Sequence, residues 1–248
     1  MKKIVLILMV AFAPGSVLAA GGTGSGIPME HMEVRLADQN SLQNGAKLFV
    51  NYCLSCHSAK YMRYGRLVDD LGIPSELVEN NMIFSDSKKI GDTMTTTMPE
   101  KKAAEWFGVA PPDLSLIGRL RDASWLYNYL KGFYLDSSTV SGWNNTVFPN
   151  VAMPHVMADL QGIRTAVFSE HDGEKKFERF EQVSEGSMSA EQFDQSMHDL
   201  TNYLVYMGEP AKMKRVKYGV FVMLFLLIFG VLAFMLKREY WRDVDVSH

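Results

Sequence analysis

The stretch NYCLSCHSAKY, residues 51–61, contains both cysteines of the 248-residue chain, Cys53 and Cys56, and places His57 directly after the second. Two thiols three positions apart can form thioether bonds to the two vinyl groups of one porphyrin, and the histidine that follows can supply an axial nitrogen to its iron. On a short helical turn, the three side chains project to the same side. The spacing therefore predicts one covalently attached haem c.

Other uses of the cysteine pair fit the sequence less well. A zinc site would need further protein ligands, but the remaining histidines are scattered, at positions 31, 155, 171, 198 and 248. A thioredoxin-like redox pair would need a strand–helix context that the flanking sequence lacks. A disulfide between residues three apart would close a very small loop and remove little entropy from the unfolded chain.

Both ends of the chain carry hydrophobic segments. The beginning, MKKIVLILMVAFAPGSVLAA, has two lysines, an apolar run and small residues, which predicts a signal peptide over residues 1–19. Residues 218–236 contain no charge, and as a helix they would span roughly 28 Å at about 1.5 Å per residue, close to the thickness of the bilayer hydrocarbon. We expect a single transmembrane helix in contact with membrane lipid, with residues 237–248 as a cytoplasmic tail, because the signal peptide would export the preceding part.

The charges are unevenly distributed between these ends. Acidic residues outnumber basic residues in the predicted exported domain, residues 20–211, whereas residues 212–217 form a basic collar in front of the hydrophobic segment. An acidic domain tied to a membrane suits the docking of a basic soluble protein and argues against nucleic acid as a partner. A surface charged for solubility alone is the alternative.

Three stretches show apolar residues at helical spacing, and each follows a residue type that can cap a helix N-terminus. The first, residues 42–50, leads into the CLSCH segment, and the others are residues 125–133 and 193–204. The predicted caps are Asn40 or Ser41, Asp122, and Ser189, which can form a capping box with Gln192.

The segments between these helices are rich in helix breakers. A loop-rich middle is expected from Gly72 to Pro112, and residues 136–162 again lack periodicity. The acidic segment 169–186 is expected to be a solvated loop, with a docking surface as the alternative. The fold class predicted is therefore mainly α, a c-type cytochrome domain with long loops followed by one C-terminal transmembrane helix.

An electron carrier usually closes the second axial position of its haem, often with a methionine thioether, which favours the ferrous state. The chain has 16 methionines, so composition alone does not identify the ligand. Met153 lies in FPNVAMP between two prolines, which restrict the backbone and can hold a side chain rigidly. From the residues alone, Met98, Met157 and His155 remain alternatives.

Four segments resemble the cytochrome c1 family, the haem-bearing subunit of the quinol–cytochrome c reductase (bc1) complex, in its bacterial single-span form. They are CLSCHSAKYMRYGRL, APPDLSLIGRLRDASWLYNYLKGFY, FPNVAMP and LTNYLVYMGEPAKMKRVKYGV. The resemblance covers essentially the whole chain after the leader. The CLSCH motif is common to c-type cytochromes, whereas PPDLS together with FPNVAMP and a terminal anchor is far more specific.

The resemblance implies site residues. It makes Met153 the second axial ligand, places Arg121 near a haem propionate and places Trp125 near the haem edge. An exposed arginine at a helix start and ordinary core packing are the respective alternatives for Arg121 and Trp125.

The resemblance also implies a one-electron relay in which this chain alone catalyses no reaction. The electron would pass from a Rieske iron–sulfur protein to a soluble periplasmic cytochrome c, within a dimeric complex that includes cytochrome b in the bacterial inner membrane. Two other functions stay open at this point. They are a membrane-anchored haem c subunit of a terminal oxidase, and a haem enzyme or gas sensor with an open coordination position.

Overall fold

The computed structural model describes residues 29–171 and 174–243, so the predicted signal peptide lies outside the described residues. The helices are α1 (Gln39–Leu48), α2 (Gly65–Asp69), α3 (Ser75–Asn81), α4 (Glu100–Phe107), α5 (Ile117–Leu120), α6 (Ala123–Lys131), α7 (Ala158–Gln161), α8 (Ala190–Gly208) and α9 (Lys212–Tyr240), and a π-helical turn, Phe49–Cys53, continues α1. The strands pair antiparallel, β1 (Ala59–Arg63) with β2 (Thr93–Met94), β3 (Phe133–Leu135) with β4 (Trp143–Asn145), and β5 (Gly162–His171) with β6 (Glu174–Glu185). The predicted mainly α fold class, with one long apolar helix at the C-terminus, is confirmed.

The core forms where α1 packs against α8. The two backbones approach so closely that a Cβ atom at Gly45 would lie 2.1 Å from the carbonyl oxygen of Asp199, so only glycine fits there. The buried Asp199 carboxylate accepts hydrogen bonds of 2.7 Å from the Ser41 hydroxyl and 2.7 Å from the Asn44 amide. This contact fixes the direction in which α1 leads into the CLSCH segment.

Two of the three predicted helix starts are confirmed. Asp122 caps α6, and Ser189 forms the predicted capping box at the start of α8. The prediction of Asn40 or Ser41 as the cap of α1 is wrong. Asp38 is the cap, because its carboxylate accepts a hydrogen bond from the backbone N–H of Ser41, whose own hydroxyl is used in the contact with α8.

The segment from Gly72 to Pro112 is less loop-like than predicted, because it contains α3, β2 and α4. Pro74 and Pro99 are the N-cap residues of α3 and α4, where the missing proline N–H costs no intrahelical hydrogen bond. Gly108 ends α4 with a φ of 78°, in the left-handed region that favours glycine. The residues that indicated loops are therefore the boundaries of short helices.

The prediction of a solvated loop at residues 169–186 is wrong, because most of this segment belongs to the antiparallel pair β5–β6. Phe168 and Phe177 face each other across the strands with ring centroids 6.0 Å apart, and such aromatic pairs stabilise a two-stranded sheet. At the base of the pair, a Cβ atom at Gly162 would lie 2.2 Å from the carbonyl oxygen of Ser184. The high charge of the segment concealed this strand pattern.

The helix α9 contains the predicted span, residues 218–236, and extends beyond it at both ends. In the described part of the chain it is the one helix long and apolar enough to cross a membrane, and none of its residues is buried. Its apolar side chains therefore need lipid or an apolar partner to cover them, which fits a membrane anchor.

The base of α9 is tied to the domain through Asp70, whose side chain is 3% exposed. The carboxylate of Asp70 accepts hydrogen bonds from Lys214 of α9 (2.8 Å), Tyr206 of α8 (2.9 Å) and Arg66 of α2 (2.5 Å). Burial alone would raise the pKa of Asp70, but the hydrogen bonds from Lys214 and Tyr206 and the charge of Arg66 hold it below its usual value. The first turn of α9 thus has a fixed contact with the domain that precedes it.

We expect Asp70→Asn to lower the free energy of unfolding by about 1–3 kcal/mol at neutral pH, because the amide cannot balance the nearby cations. The pKa of Asp70 is lower in the folded state than in the unfolded state. Its ionisation therefore stabilises the fold above the unfolded pKa of about 4, and this contribution is lost as the pH falls through the folded pKa. Thermal unfolding of the detergent-solubilised protein over a pH series measures both effects.

Asp69→Asn is the matched control, because Asp69 is the exposed carboxylate one position earlier. It should leave the unfolding temperature almost unchanged at every pH. Equal destabilisation by the two variants would contradict this role of Asp70. So would a difference in unfolding temperature between wild type and Asp70→Asn that stays the same as the pH is lowered.

Candidate haem site

Cys53 is the last residue of the π-helical turn that continues α1, and Cys56 lies in the hydrogen-bonded turn that follows it. The backbone N–H groups of Cys56 and His57 both donate to the carbonyl oxygen of Cys53, at 3.1 Å and 2.8 Å, which closes the turn tightly. Both thiols are free, with Cys53 buried and Cys56 half-buried. Burial, reinforced by the neighbouring Cys56, raises the pKa of the Cys53 thiol to about 12. A thiol this weakly acidic does not suit a thioredoxin-like redox pair.

The imidazole of His57 is held by one hydrogen bond, 2.8 Å long, between its Nδ1 and the carbonyl oxygen of Pro112. A carbonyl oxygen can only accept, so Nδ1 carries the hydrogen and Nε2 keeps its lone pair. Burial lowers the pKa of His57, although the hydrogen bond to Pro112 opposes this shift. The ring is therefore neutral, in the tautomer that can bind a metal through Nε2.

The PPDLS segment that carries this carbonyl is locked to the chain that follows His57. The carboxylate of Asp113 accepts hydrogen bonds from the backbone N–H groups of Lys60 (3.0 Å) and Ser115 (2.9 Å). Burial alone would raise the pKa of Asp113, but the hydrogen bonds from Ser115 and Lys60 bring it below its usual value. The carboxylate thus stays ionised and keeps the Pro112 carbonyl in place.

The loop that carries Met153 is organised by a fully buried asparagine. The side-chain oxygen of Asn145 accepts hydrogen bonds from the backbone N–H groups of Val147 (2.9 Å) and Phe148 (3.1 Å). The side-chain amide of Asn145 donates to the carbonyl oxygen of Tyr129 at 2.8 Å. The start of the loop is therefore fixed to α6, although the loop contains no regular structure of its own.

The predicted residues Met153, Trp125 and Arg121 are connected by a series of contacts that includes Tyr129. The hydroxyl of Tyr129 donates to the sulfur of Met153 at 3.4 Å. The Tyr129 ring stacks on Trp125 with centroids 5.1 Å apart and planes 8° from parallel, and the Arg121 guanidinium lies 4.6 Å from the centroid of Trp125 on its ring face. Burial raises the pKa of Tyr129, so its hydroxyl stays protonated.

Two of the alternative axial ligands are used in packing. Met157 is 1% exposed and lies in the hydrophobic core. His155 is buried, stacks on Phe133 with centroids 5.0 Å apart and meets the edge of Trp143. Burial lowers the pKa of His155 to about 4. Of the four candidate ligands, these contacts leave Met153 and Met98, both half-buried, as the more suitable donors.

Met98, the remaining alternative, is half-buried like Met153 and lies beside the attachment turn. Its backbone N–H donates to the hydroxyl oxygen of Thr96 at 3.0 Å, and that hydroxyl donates to the carbonyl oxygen of Ser55 at 2.6 Å. Met98 is thus fixed to the same turn that carries the cysteines. Met153, in contrast, lies on a separate framework built by α6 and Asn145.

The methionine loop and the cysteine turn are connected through a hydrogen bond between neighbouring residues and not through their predicted ligands. Among the described residues, no hydrogen bond or ring contact joins Met153 to His57. The Tyr52 hydroxyl in the π-helical turn donates to the Asp159 carboxylate in α7 at 3.1 Å and links the two frameworks.

The available donors fit haem c. They comprise two free thiols in a tight turn, a neutral imidazole with its Nε2 lone pair available, and a held thioether sulfur. In the part of the chain that the structure describes, no three histidine, cysteine or acidic side chains converge, so the zinc alternative has no ligand set there.

Sequence reasoning missed Tyr129 as a contact of Met153, and it missed the asparagine pair that builds the loop. The side-chain oxygen of Asn144 accepts a hydrogen bond of 2.8 Å from the backbone N–H of Asn150, which adopts a φ of 61°. The signal was the run WNNTVFPN itself, since consecutive asparagines before a proline often order a turn through side-chain to backbone hydrogen bonds.

Comparisons with known proteins show which family the chain resembles. The model of the Cytochrome C1 family matches residues 31–244. The chain is 46% identical to cytochrome c1 of Allochromatium vinosum, covering 98% of this chain and 100% of the relative. It is 43% identical to a Nitrosomonas europaea protein named ammonia monooxygenase gamma subunit, over 96% of this chain and 97% of the relative. It is 26% identical to cytochrome c1 of Rhodospirillum rubrum, over 94% and 96% of the two chains.

The match to the family model extends from the segment before α1 to beyond the end of α9, and it includes every residue of the site described above. The chain therefore belongs to the cytochrome c1 family.

Proposed function

We propose that this chain is the electron-transfer subunit of a respiratory bc1 complex and holds one haem c covalently through Cys53 and Cys56. His57, through Nε2, and Met153, through its sulfur, would hold the haem iron. The observation that carries the proposal is the hydrogen bond from Nδ1 of His57 to the Pro112 carbonyl, because it presents Nε2 as a metal ligand. When bound, the haem supplies one-electron chemistry, and the chain itself makes or breaks no substrate bond.

The polypeptide contributes orientation and charge balance at this site. Pro112 fixes the plane of the imidazole and makes it a better donor, as second-shell acceptors do for ligating histidines. Arg121 is half-buried above Trp125, so its guanidinium can offset the charge of a propionate, whose unpaired burial would be costly. Trp125 is the proposed neighbour of the haem edge.

The proposed topology places the main domain in the periplasm. The predicted signal peptide would export the domain, α9 would span the inner membrane, and residues 237–248 would remain in the cytoplasm. The electron would then come from a Rieske iron–sulfur protein and leave to a soluble cytochrome c. Cytochrome b and membrane lipid would cover the apolar surface of α9, within a dimeric complex.

The comparisons raise a second candidate function. The 43% identity to a protein named ammonia monooxygenase gamma subunit extends over nearly the whole chain. Under this alternative, the chain would accompany an ammonia monooxygenase instead of cytochrome b. The site geometry of this chain favours neither candidate over the other.

Purification of the tagged chain from solubilised native membranes separates these functions. We expect cytochrome b and a Rieske iron–sulfur protein to copurify, and we expect quinol to reduce the c-type haem of the preparation. Copurification with ammonia monooxygenase subunits, or with a copper–haem oxidase, would instead identify a different complex. Carbon monoxide binding to the reduced protein at neutral pH would support the enzyme or sensor alternative.

Met153→His should lower the reduction potential by about 0.1 V or more, within the ~0.8 V range over which axial ligands set haem potentials. The reason is that imidazole donates more strongly than a thioether and so stabilises the ferric state. A redox titration of the purified complex, followed by the absorbance of the c-type haem, measures the shift.

Met98→Leu is the matched control, because it removes the thioether of the half-buried alternative ligand and keeps a similar volume. Its potential should equal that of the wild type. A shift in Met98→Leu together with an unchanged potential in Met153→His would assign the axial position to Met98.

A further inference from the structure

We propose that Tyr129 is a positioning residue for Met153. The hydroxyl of Tyr129 holds the thioether sulfur of Met153 and reduces the electron density that this sulfur offers to a metal. The proposal rests on the proposed function in one respect, the role of Met153 as an axial ligand. It adds a residue that controls how strongly this ligand donates.

The contact is specific to the tyrosine hydroxyl. The Oη atom lies 3.4 Å from the Sδ atom of Met153, within the range of a hydrogen bond to sulfur. A thioether sulfur is a weak acceptor with two lone pairs. With one lone pair engaged by the hydroxyl of Tyr129, the other is left for a metal, so the hydrogen bond restricts the orientations in which Met153 can ligate.

The position of Tyr129 is itself fixed from three directions. One face of its ring stacks on Trp125 at 5.1 Å, and Phe133 meets it edge-on at 5.3 Å. Its backbone carbonyl oxygen accepts the hydrogen bond from the buried Asn145 amide at 2.8 Å. Tyr129 therefore holds the Met153 loop twice, through the backbone at the start of the loop and through the hydroxyl at the sulfur.

The electronic consequence has a definite sign. A hydrogen bond to the sulfur of Met153 withdraws electron density from it, so the sulfur stabilises ferric iron less. The hydroxyl of Tyr129 should therefore raise the reduction potential above the value that an unbonded thioether would give. A purely structural role in packing would not set this sign, because the ring of Tyr129 would supply the packing without the hydroxyl.

Tyr129→Phe tests this role, since it removes the hydroxyl and keeps the ring that stacks on Trp125. At a fixed ambient potential near the midpoint potential of the wild type, the ferric-to-ferrous ratio of the purified complex should rise about two- to fivefold. A change of this size corresponds to part or all of the free energy of one ordinary hydrogen bond. The absorption band that reports the methionine–iron bond should shift in the ferric protein. Haem content and unfolding temperature, measured first, should stay near those of the wild type.

Tyr127→Phe is the matched control. It removes a hydroxyl from the same helix, but that hydroxyl accepts a hydrogen bond from Lys131 at 3.1 Å and does not contact Met153. This variant should leave the potential and the absorption band unchanged. Equal shifts in both variants would show a general effect of disturbing α6 and would overturn the proposal.

The outcome also separates this inference from the proposed function. If Met153→His lowers the potential while Tyr129→Phe changes neither the potential nor the band, Met153 remains the ligand and the role of Tyr129 is refuted. If Met153→His leaves the potential unchanged, the ligand assignment fails, and the inference fails with it.

Discussion

The hydrogen bond between His57 and Pro112 is the constraint on which the site depends. It joins the attachment turn to a segment about fifty residues later, and it decides which imidazole nitrogen keeps a lone pair. Proline suits this position, because its restricted backbone keeps the carbonyl in one direction. Asp113 adds to the constraint by binding the backbone on both sides of the contact. A ligand whose plane is set this way needs little reorganisation when the metal changes its charge.

The domain carries two of its proposed haem ligands, His57 and Met153, outside regular helices and strands, and buried polar groups make the surrounding segments rigid. Asp199 joins α1 to α8, Asp113 fixes the PPDLS segment, and Asn145 fixes the methionine loop. Each of these groups makes several hydrogen bonds, and at least one of them reaches a group distant in sequence. A buried polar group without a hydrogen-bond partner costs free energy. Conformations that break these networks are therefore disfavoured, and each loop is held in one conformation.

Features that depend on neighbours in sequence could be predicted from the sequence, and features that depend on distant partners could not. Asp122 and Ser189 act within one helical turn, so their capping roles follow from local pattern. The cap of α1 was misassigned because the Ser41 hydroxyl binds a carboxylate 158 positions away. The contact of Tyr129 with Met153 is likewise invisible in the sequence, since a tyrosine on an apolar stripe indicates core packing until the loop beside it is known. The strands β5 and β6 were hidden because their charged residues obscured the aromatic pairs.

The helix α8 connects the site to the membrane anchor. In its middle, α8 contacts α1 through the carboxylate of Asp199. Near its C-terminal end, the hydroxyl of Tyr206 donates to the Asp70 carboxylate that also binds Lys214 of α9. Asp199 lies nine residues before Gly208, the last residue of α8, which corresponds to about 14 Å of helix at about 1.5 Å per residue. This part of α8 sets a fixed separation between its contact with α1 and the start of α9. With α9 as the proposed span, the haem site cannot move far relative to the bilayer surface. The partners that deliver and remove the electron would then have to do the moving, and a carrier held this way gains from ligands that are fixed before any partner arrives.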